Sequence, residues 1–406
     1  MAVSVSTLLS TVSLVTVRSA GVAARTLSLL TLSAGMPAER FAPYATAFVL
    51  SEMARCATDF GLDPVVLRRA EGLPLSEQRP MLRAALAIRG VHGLIAALIV
   101  LMLLIGSFPI DVLLVVAGLQ FLSQGLLQLG LNWRQVNNSA HQIAPLLLCL
   151  YATIVGLATL GYFHPAWGRV PLPMLLFGEL AFATVLLTPL AAPRLTDLRT
   201  GYTTLVPQAL PMAGIMLLAF INTRTDALIV NRFATPAEVG EYLYLARWVD
   251  LAPMLVTGVA LPLVGKVGKI GGGDLRRRAV PLAIMGAGLA MAPFVLMQVA
   301  ALLNPVYAQD IVLRMLLACI ATCRIALSVT TMLLLAQWRD RLLVRAVAVS
   351  SVLVLALTWT MGSRLGMHGI AIGVLIAELG NLLFQAGLLL GRPRSKQRMM
   401  SGNGHG

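Results

Sequence analysis

At least seven arginines of this chain lie inside apolar stretches rather than between them: Arg18, Arg25, Arg55, Arg224, Arg247, Arg314 and Arg324. A guanidinium stays charged and presents a planar fork of donors that matches phosphate and carboxylate oxygens. At the centre of a bilayer span it costs roughly 2.5–3.5 kcal/mol on insertion scales. These side chains must therefore be hidden from lipid. A polar internal cavity would hide them, and a cavity lined by cations suits an anionic ligand. Arg18 and Arg25 are seven residues apart, two helical turns, so they share one face and have no acid nearby in sequence. Arg324 lies deep in its stretch, whereas Arg314 is close enough to an end to snorkel.

The acids allow two readings. Glu52, Arg55 and Asp59 are spaced three and four apart, and Arg247 and Asp250 three apart, so each set can neutralise itself along one helix face. Alternatively the arginines meet a ligand, and Asp59, Asp226 and Asp250 are candidates for coupling an ion. Arg224 and Asp226 are two apart and point to different faces. Glu179 and Glu378 read as isolated carboxylates in matching places of the two halves. They are candidates for proton uptake or, equally, neutral buried acids. Gln120, Gln124, Gln128 and Asn132 recur every fourth residue as an amide stripe. Amides of this kind serve sugar hydroxyls, or they bond helix to helix at about 0.6 kcal/mol each.

The elements that must position these groups are membrane spans. The chain has 406 residues, 58% hydrophobic and 12% charged, with mean hydropathy +0.84. No soluble class has this composition. Spans of about 20 apolar residues are expected at 8–33, 43–62, 86–106, 110–131, 142–162, 172–192, 206–230, 242–264, 279–303, 310–336, 343–362 and 368–391. The fold class is then all-α and polytopic, with about twelve helices. The longest connecting segments are 64–84 and 265–278, too short for a separate soluble catalytic domain. Alternate gaps carry eighteen Lys and Arg against four, which puts both termini and the basic loops in the cytoplasm. The net charge of +14 thus reads as orientation rather than nucleic-acid binding. Cys56, Cys149, Cys319 and Cys323 fall in expected spans and form no disulfide or metal pattern. The start lacks the Lys or Arg of a cleavable signal and reads as the first span.

A weak repeat divides the chain. Pro37-Ala38-Glu39, followed by Tyr44, returns as Pro236-Ala237-Glu238, followed by Tyr242, 199 residues later. Two six-helix lobes in the same orientation, 1–200 and 201–392, with a basic tail 393–406, fit that separation.

Several stretches resemble the polysaccharide exporters of the multidrug/oligosaccharidyl-lipid/polysaccharide (MOP) superfamily. They are Asn222-Thr223-Arg224-Thr225-Asp226, Glu238-Val239-Gly240-Glu241-Tyr242 with Ala246-Arg247, Asp59-Phe60-Gly61-Leu62 with Arg68-Arg69, and Gly366-Met367-His368-Gly369-Ile370-Ala371. The resemblance implies a flippase for an undecaprenyl-diphosphate-linked oligosaccharide of O-antigen or exopolysaccharide type, in a bacterial inner membrane. It implies two lobes around a central cavity, lined by Arg18, Arg25, Arg55 and Arg247. It also implies a glycan polymerase and an initiating glycosyltransferase as partners. The two extra C-terminal helices of lipid II flippases are missing here. A multidrug antiporter of the same superfamily is the alternative, although cationic drugs favour acidic, aromatic cavities and aromatics are only 6% of this chain. A glycan polymerase or ligase, or a non-transporting scaffold, completes the alternatives. No Gly-rich phosphate loop and no histidine pair at metal spacing occurs, so no cofactor or metal is expected.

Overall fold

The computed structural model describes residues 5–70, 73–104, 120–137, 139–190, 194–267, 279–336 and 340–390. The tail 393–406, the basic run 268–278 and the first part of the expected span 110–131 lie outside the described residues.

Thirteen α-helices and no strand occur among the described residues. In chain order they are α1 (Val5–Ala34), α2 (Ala38–Asp59), α3 (Leu62–Ala70), α4 (Leu75–Leu104), α5 (Gln120–Val136), α6 (Ala140–Phe163) and α7 (Pro171–Leu187). They continue as α8 (Leu195–Thr204), α9 (Val206–Phe233), α10 (Pro236–Val267), α11 (Ala279–Leu303), α12 (Ile311–Ala336) and α13 (Asp340–Leu390). Six described segments are long and apolar enough to cross a membrane, including Val206–Phe233 and the double-length Val344–Leu388. The chain is an all-α, multi-pass membrane protein.

Two expectations need correction. The segment 64–84 is not an open connection: α3 and the first turns of α4 run through it. Charged residues such as Arg68, Arg69 and Arg83 hid these turns from a hydropathy reading, although they suit helices at a membrane surface. Likewise α8 occupies 195–204, where no element was expected.

Chain reversals set the site. Phe60 (φ 46°) and Gly61 (φ 70°) are both left-handed and stop α2 after Asp59. A side chain at Gly61 would sit 2.7 Å from the Ala213 nitrogen and 2.8 Å from the Ala209 oxygen, so only glycine lets this corner pack on α9. The corner brings Asp59, at the end of α2, beside Asp63 in the first turn of α3. Gly366 (φ 59°) breaks α13 in the same way. A Cβ at Gly369 would lie 2.0 Å from the Met361 oxygen, and one at Gly373 2.8 Å from the Leu357 backbone. The two halves of α13 therefore fold back on each other, as the separate expected spans 343–362 and 368–391 require.

The repeated triplets open α2 and α10, and they meet. The Gly240 Cα faces α2 so closely that a Cβ would lie 2.2 Å from the Ala38 oxygen. Thr235 and Glu238 cap α10 reciprocally, with the Thr235 amide donating to Glu238 Oε2 at 2.7 Å. Around this contact the largest apolar core joins both halves of the chain through Leu29, Phe41, Tyr242, Tyr244, Tyr307 and Leu313. Tyr307 stands edge-on to Phe41 at 5.4 Å and donates to the Met36 oxygen at 2.7 Å.

Candidate functional site

A cavity of about 370 Å³ opens within the first half of the chain. Helix α1 supplies Arg18 and Arg25, α2 supplies Arg55 and Asp59, α3 supplies Asp63, α5 supplies Gln124 and Gln128, and α6 supplies Tyr151. From the second half, Met216 of α9 reaches the same space. Five of the eight expected ligand contacts, Arg18, Arg25, Arg55, Gln124 and Gln128, thus come together in one place. The side chain of Gln120, at the start of the amide stripe, lies outside the described residues.

These arginines differ in their partners. Arg25 ion-pairs with Glu179, which also accepts from Tyr151 Oη at 3.1 Å and from Ser123 Oγ at 3.5 Å. Glu179 is therefore not isolated, and Arg25 does have an acid, held on α7. Arg18 is bound by amides instead: it donates to Asn132 Oδ1 at 2.9 Å. With its oxygen turned towards Arg18, Gln128 accepts from the guanidinium at 2.5 Å. Arg55 lines the cavity with a buried Nε that has no partner, and the buried Oε1 of Gln124 has none either. Among the described residues neither Arg18 nor Arg55 has a carboxylate within ion-pairing distance. Asp59 makes no direct ion pair with Arg55 along α2, although the two charges act on each other at longer range; its ion pair is with another cation.

That cation is Arg89 of α4, which the sequence reading passed over because it stands near the start of its expected span. Only 2% exposed, Arg89 donates to both Asp59 and Asp63, and to the Gly125 oxygen at 2.5 Å. Asn132 bridges the two systems, accepting from Arg18 and donating to Asp63. A continuous hydrogen-bonded chain thus runs Arg18, Asn132, Asp63, Arg89, Asp59. An unpaired buried charge is costly, and this network pairs its charges, with Arg89 Nε and Asp59 Oδ2 left as buried atoms without a partner.

The other three expected arginines form a second network at the seam between the halves. Glu52 of α2 accepts from Arg224 Nε at 3.2 Å and from Arg247 at 3.3 Å. Asp250 joins Arg224 at 2.5 Å and Arg247 at 3.5 Å, and lies 3.9 Å from Arg324. Arg324 Nε donates to Glu378 at 3.0 Å, so Glu378 is not isolated either. Arg247 also lies over the Phe48 ring at 4.6 Å. Asp226 accepts from Tyr242 Oη at 2.9 Å and makes no direct ion pair with Arg224. None of Arg224, Arg247 and Arg324 lines the cationic cavity. The 199-residue offset that relates the triplets also relates Arg25 to Arg224 and Glu179 to Glu378. The pairing has diverged: Arg25 holds Glu179 directly, whereas Arg324 holds Glu378 and Arg224 reaches across to Glu52.

No protein-family model and no curated protein sequence matches this chain. Solved structures match its whole length. The lipid II flippase MurJ in an inward closed conformation superimposes with TM-score 0.66 at 14% identity, over 94% of this chain and 88% of that one. A MATE family multidrug resistance transporter of the MOP superfamily, inward-facing, gives 0.56 at 12% identity, over 94% and 96%. A eukaryotic MATE transporter gives 0.55 at 11% identity, over 98% of each chain. The chain therefore shares the fold of the MurJ flippase and of the MATE transporters.

Proposed function

We propose that this protein is a flippase that carries an undecaprenyl-diphosphate-linked oligosaccharide across a bacterial inner membrane, for surface polysaccharide assembly. The observation that supports this reading is the pairing state of the cavity arginines. Arg18 is hydrogen-bonded by amides, and Arg55 keeps an unpartnered Nε, in the lining of one cavity. Two cations that make no direct ion pair suit a diphosphate, whose oxygens accept from guanidinium forks, while the nearby Asp59 and Asp63 are tied to Arg89. Gln124, with an unused amide oxygen, and Gln128 offer hydrogen bonds to the first sugar. Arg25 stabilises the wall by holding Glu179, Arg224 and Arg247 join the halves through Glu52, and Arg324 ties Glu378 and Asp250 within the second half.

The cargo's diphosphate enters from the cytoplasm, its chain stays in lipid, and rocking of the halves exposes it outward. With an inside-negative potential, outward movement of net negative charge is downhill by about 2.3 kcal/mol per charge per 100 mV. Asp59, Asp226, Asp250, Glu179 and Glu378 are the carboxylates through which an ion could couple. Both termini are cytoplasmic in this reading, and a polymerase and an initiating glycosyltransferase are its partners.

A multidrug antiporter is the second reading, favoured by the MATE likeness. Against it, Asp59 and Asp63 are tied to Arg89, which leaves the free charge of the cavity positive. The test is the lipid-linked glycan pool in cells lacking the protein, with rescue by wild type, Arg18→Ala and Arg55→Ala. Accumulation on the cytoplasmic face, loss of surface polymer, and failure of both variants at normal membrane levels support the flippase. An unchanged pool and surface polymer refute it.

A further inference from the structure

The back face of α2 carries a second compartment, of opposite chemistry. It measures about 480 Å³, within the ~300–1,000 Å³ of ligand pockets. Cys56 and Phe60 of α2, Ile95 and Ile99 of α4, and Leu210 and Leu217 of α9 form its walls. Four of these, Ile95, Ile99, Leu210 and Leu217, are exposed, so the groove is open to the hydrocarbon of the bilayer. Its polar rim is His92, whose Nε2 lies 2.9 Å from the Tyr202 hydroxyl on α8. At Gly214 a Cβ would meet nothing within 4 Å, so there is free space against α9.

The groove and the cationic cavity share two walls. Arg55 and Asp59 line the cavity, while the next residues on α2, Cys56 and Phe60, line the groove. On α9, Met216 faces the cavity and Leu217 the groove. Only the seam between α2 and α9 separates them, closed at its end by Gly61 against Ala209 and Ala213. An amphiphile with a diphosphate head needs such a pair of compartments side by side. Pulling its chain into a polar cavity would expose apolar surface at about 0.8 kcal/mol per CH₂. Another apolar pocket, lined by α1, α6, α10 and α11, measures about 150 Å³.

We propose that this groove seats the isoprenoid chain of the cargo next to its diphosphate, and that the α2–α9 seam is the slit across which head and chain stay joined. The inference rests on the flippase reading above and adds to it the place and chemistry of the tail site.

Two measurements test it. The first compares transport of undecaprenyl- and geranyl-diphosphate sugars in proteoliposomes by wild type, Gly214→Trp and Leu98→Trp. Leu98 is a lipid-facing position on α4 outside the groove. Filling the groove should lower the ratio of long-chain to short-chain transport about tenfold or more, the discrimination an apolar pocket provides. Leu98→Trp should leave the ratio unchanged. The second measurement uses undecaprenyl diphosphate with a diazirine near its first isoprene units, photolysed with the purified protein in nanodiscs. Label should fall on 92–99 and 210–217, and unlabelled undecaprenyl diphosphate should compete while phosphatidylglycerol should not. An unchanged ratio in Gly214→Trp, label elsewhere, or equal competition by the phospholipid overturns the proposal. Should wild type transport neither cargo, the flippase reading fails, and the crosslinking map still decides the tail site separately.

Discussion

Replacing Arg89 by methionine removes the cation that holds Asp59 and Asp63. The substitution keeps the length and apolar stem of the side chain but strips every donor. Asp59, 5% exposed, is left as a buried carboxylate without an ion-pair partner, Arg55 acting on it only at longer range, whereas Asp63, 19% exposed, keeps its bond from Asn132. Breaking a buried ion pair by removing one partner costs about 3–5 kcal/mol. The Gly125 oxygen also loses its donor, at about 0.5–1.5 kcal/mol. The expected loss is therefore ~4–6 kcal/mol, large beside the total stability of a typical protein. The assay is unfolding of the purified protein in lipid-like micelles titrated with a denaturing detergent. The reasoning also fixes the sign of a rescue. Asp59→Asn in the Arg89→Met background neutralises the orphan and should recover about 2–3 kcal/mol as a coupling energy. If Arg89→Met loses less than ~1 kcal/mol, or if Asp59→Asn adds its own loss instead of recovering stability, the account of this network is wrong.

Three other outcomes are expected. Arg25→Met should destabilise by about 3–5 kcal/mol because Glu179 is fully buried; Arg25→Met with Glu179→Gln should regain most of it in the same titration. Gly240→Ala should cost at least about 1–3 kcal/mol, since its Cβ would sit 2.2 Å from the Ala38 oxygen; a native melting curve would show that the seam between the halves yields easily. A reporter active only in the cytoplasm, fused after residue 391, should be active, and inactivity would invert the proposed topology.

What the sequence made legible was whatever a single helix encodes. Hydropathy located the spans that recur as six long apolar segments among the described residues, and the break between 343–362 and 368–391 falls at Gly366, where the structure bends. The two-turn spacing of Arg18 and Arg25 correctly put both on one wall. Partners on other helices were not legible. Arg25 finds Glu179 across 154 residues and Arg18 finds Asn132 across 114, whereas sequence spacing reveals neighbours only three or four apart. For the same reason Asp59 was matched to Arg55 when Arg89 holds it. The helices at 62–70 and 195–204 escaped because they are short and charged, without the apolar length that marks a span.

The glycine-lined fold of α13 also bears on how the protein is made. Gly369 and Gly373 press against the backbone at Met361 and Leu357, so the two arms have no loop between them in which the chain could pause. The second arm can reach the first only once the chain has turned at Gly366, so a chain truncated between the arms would leave the backbone at Met361 and Leu357 without the glycines that cover it.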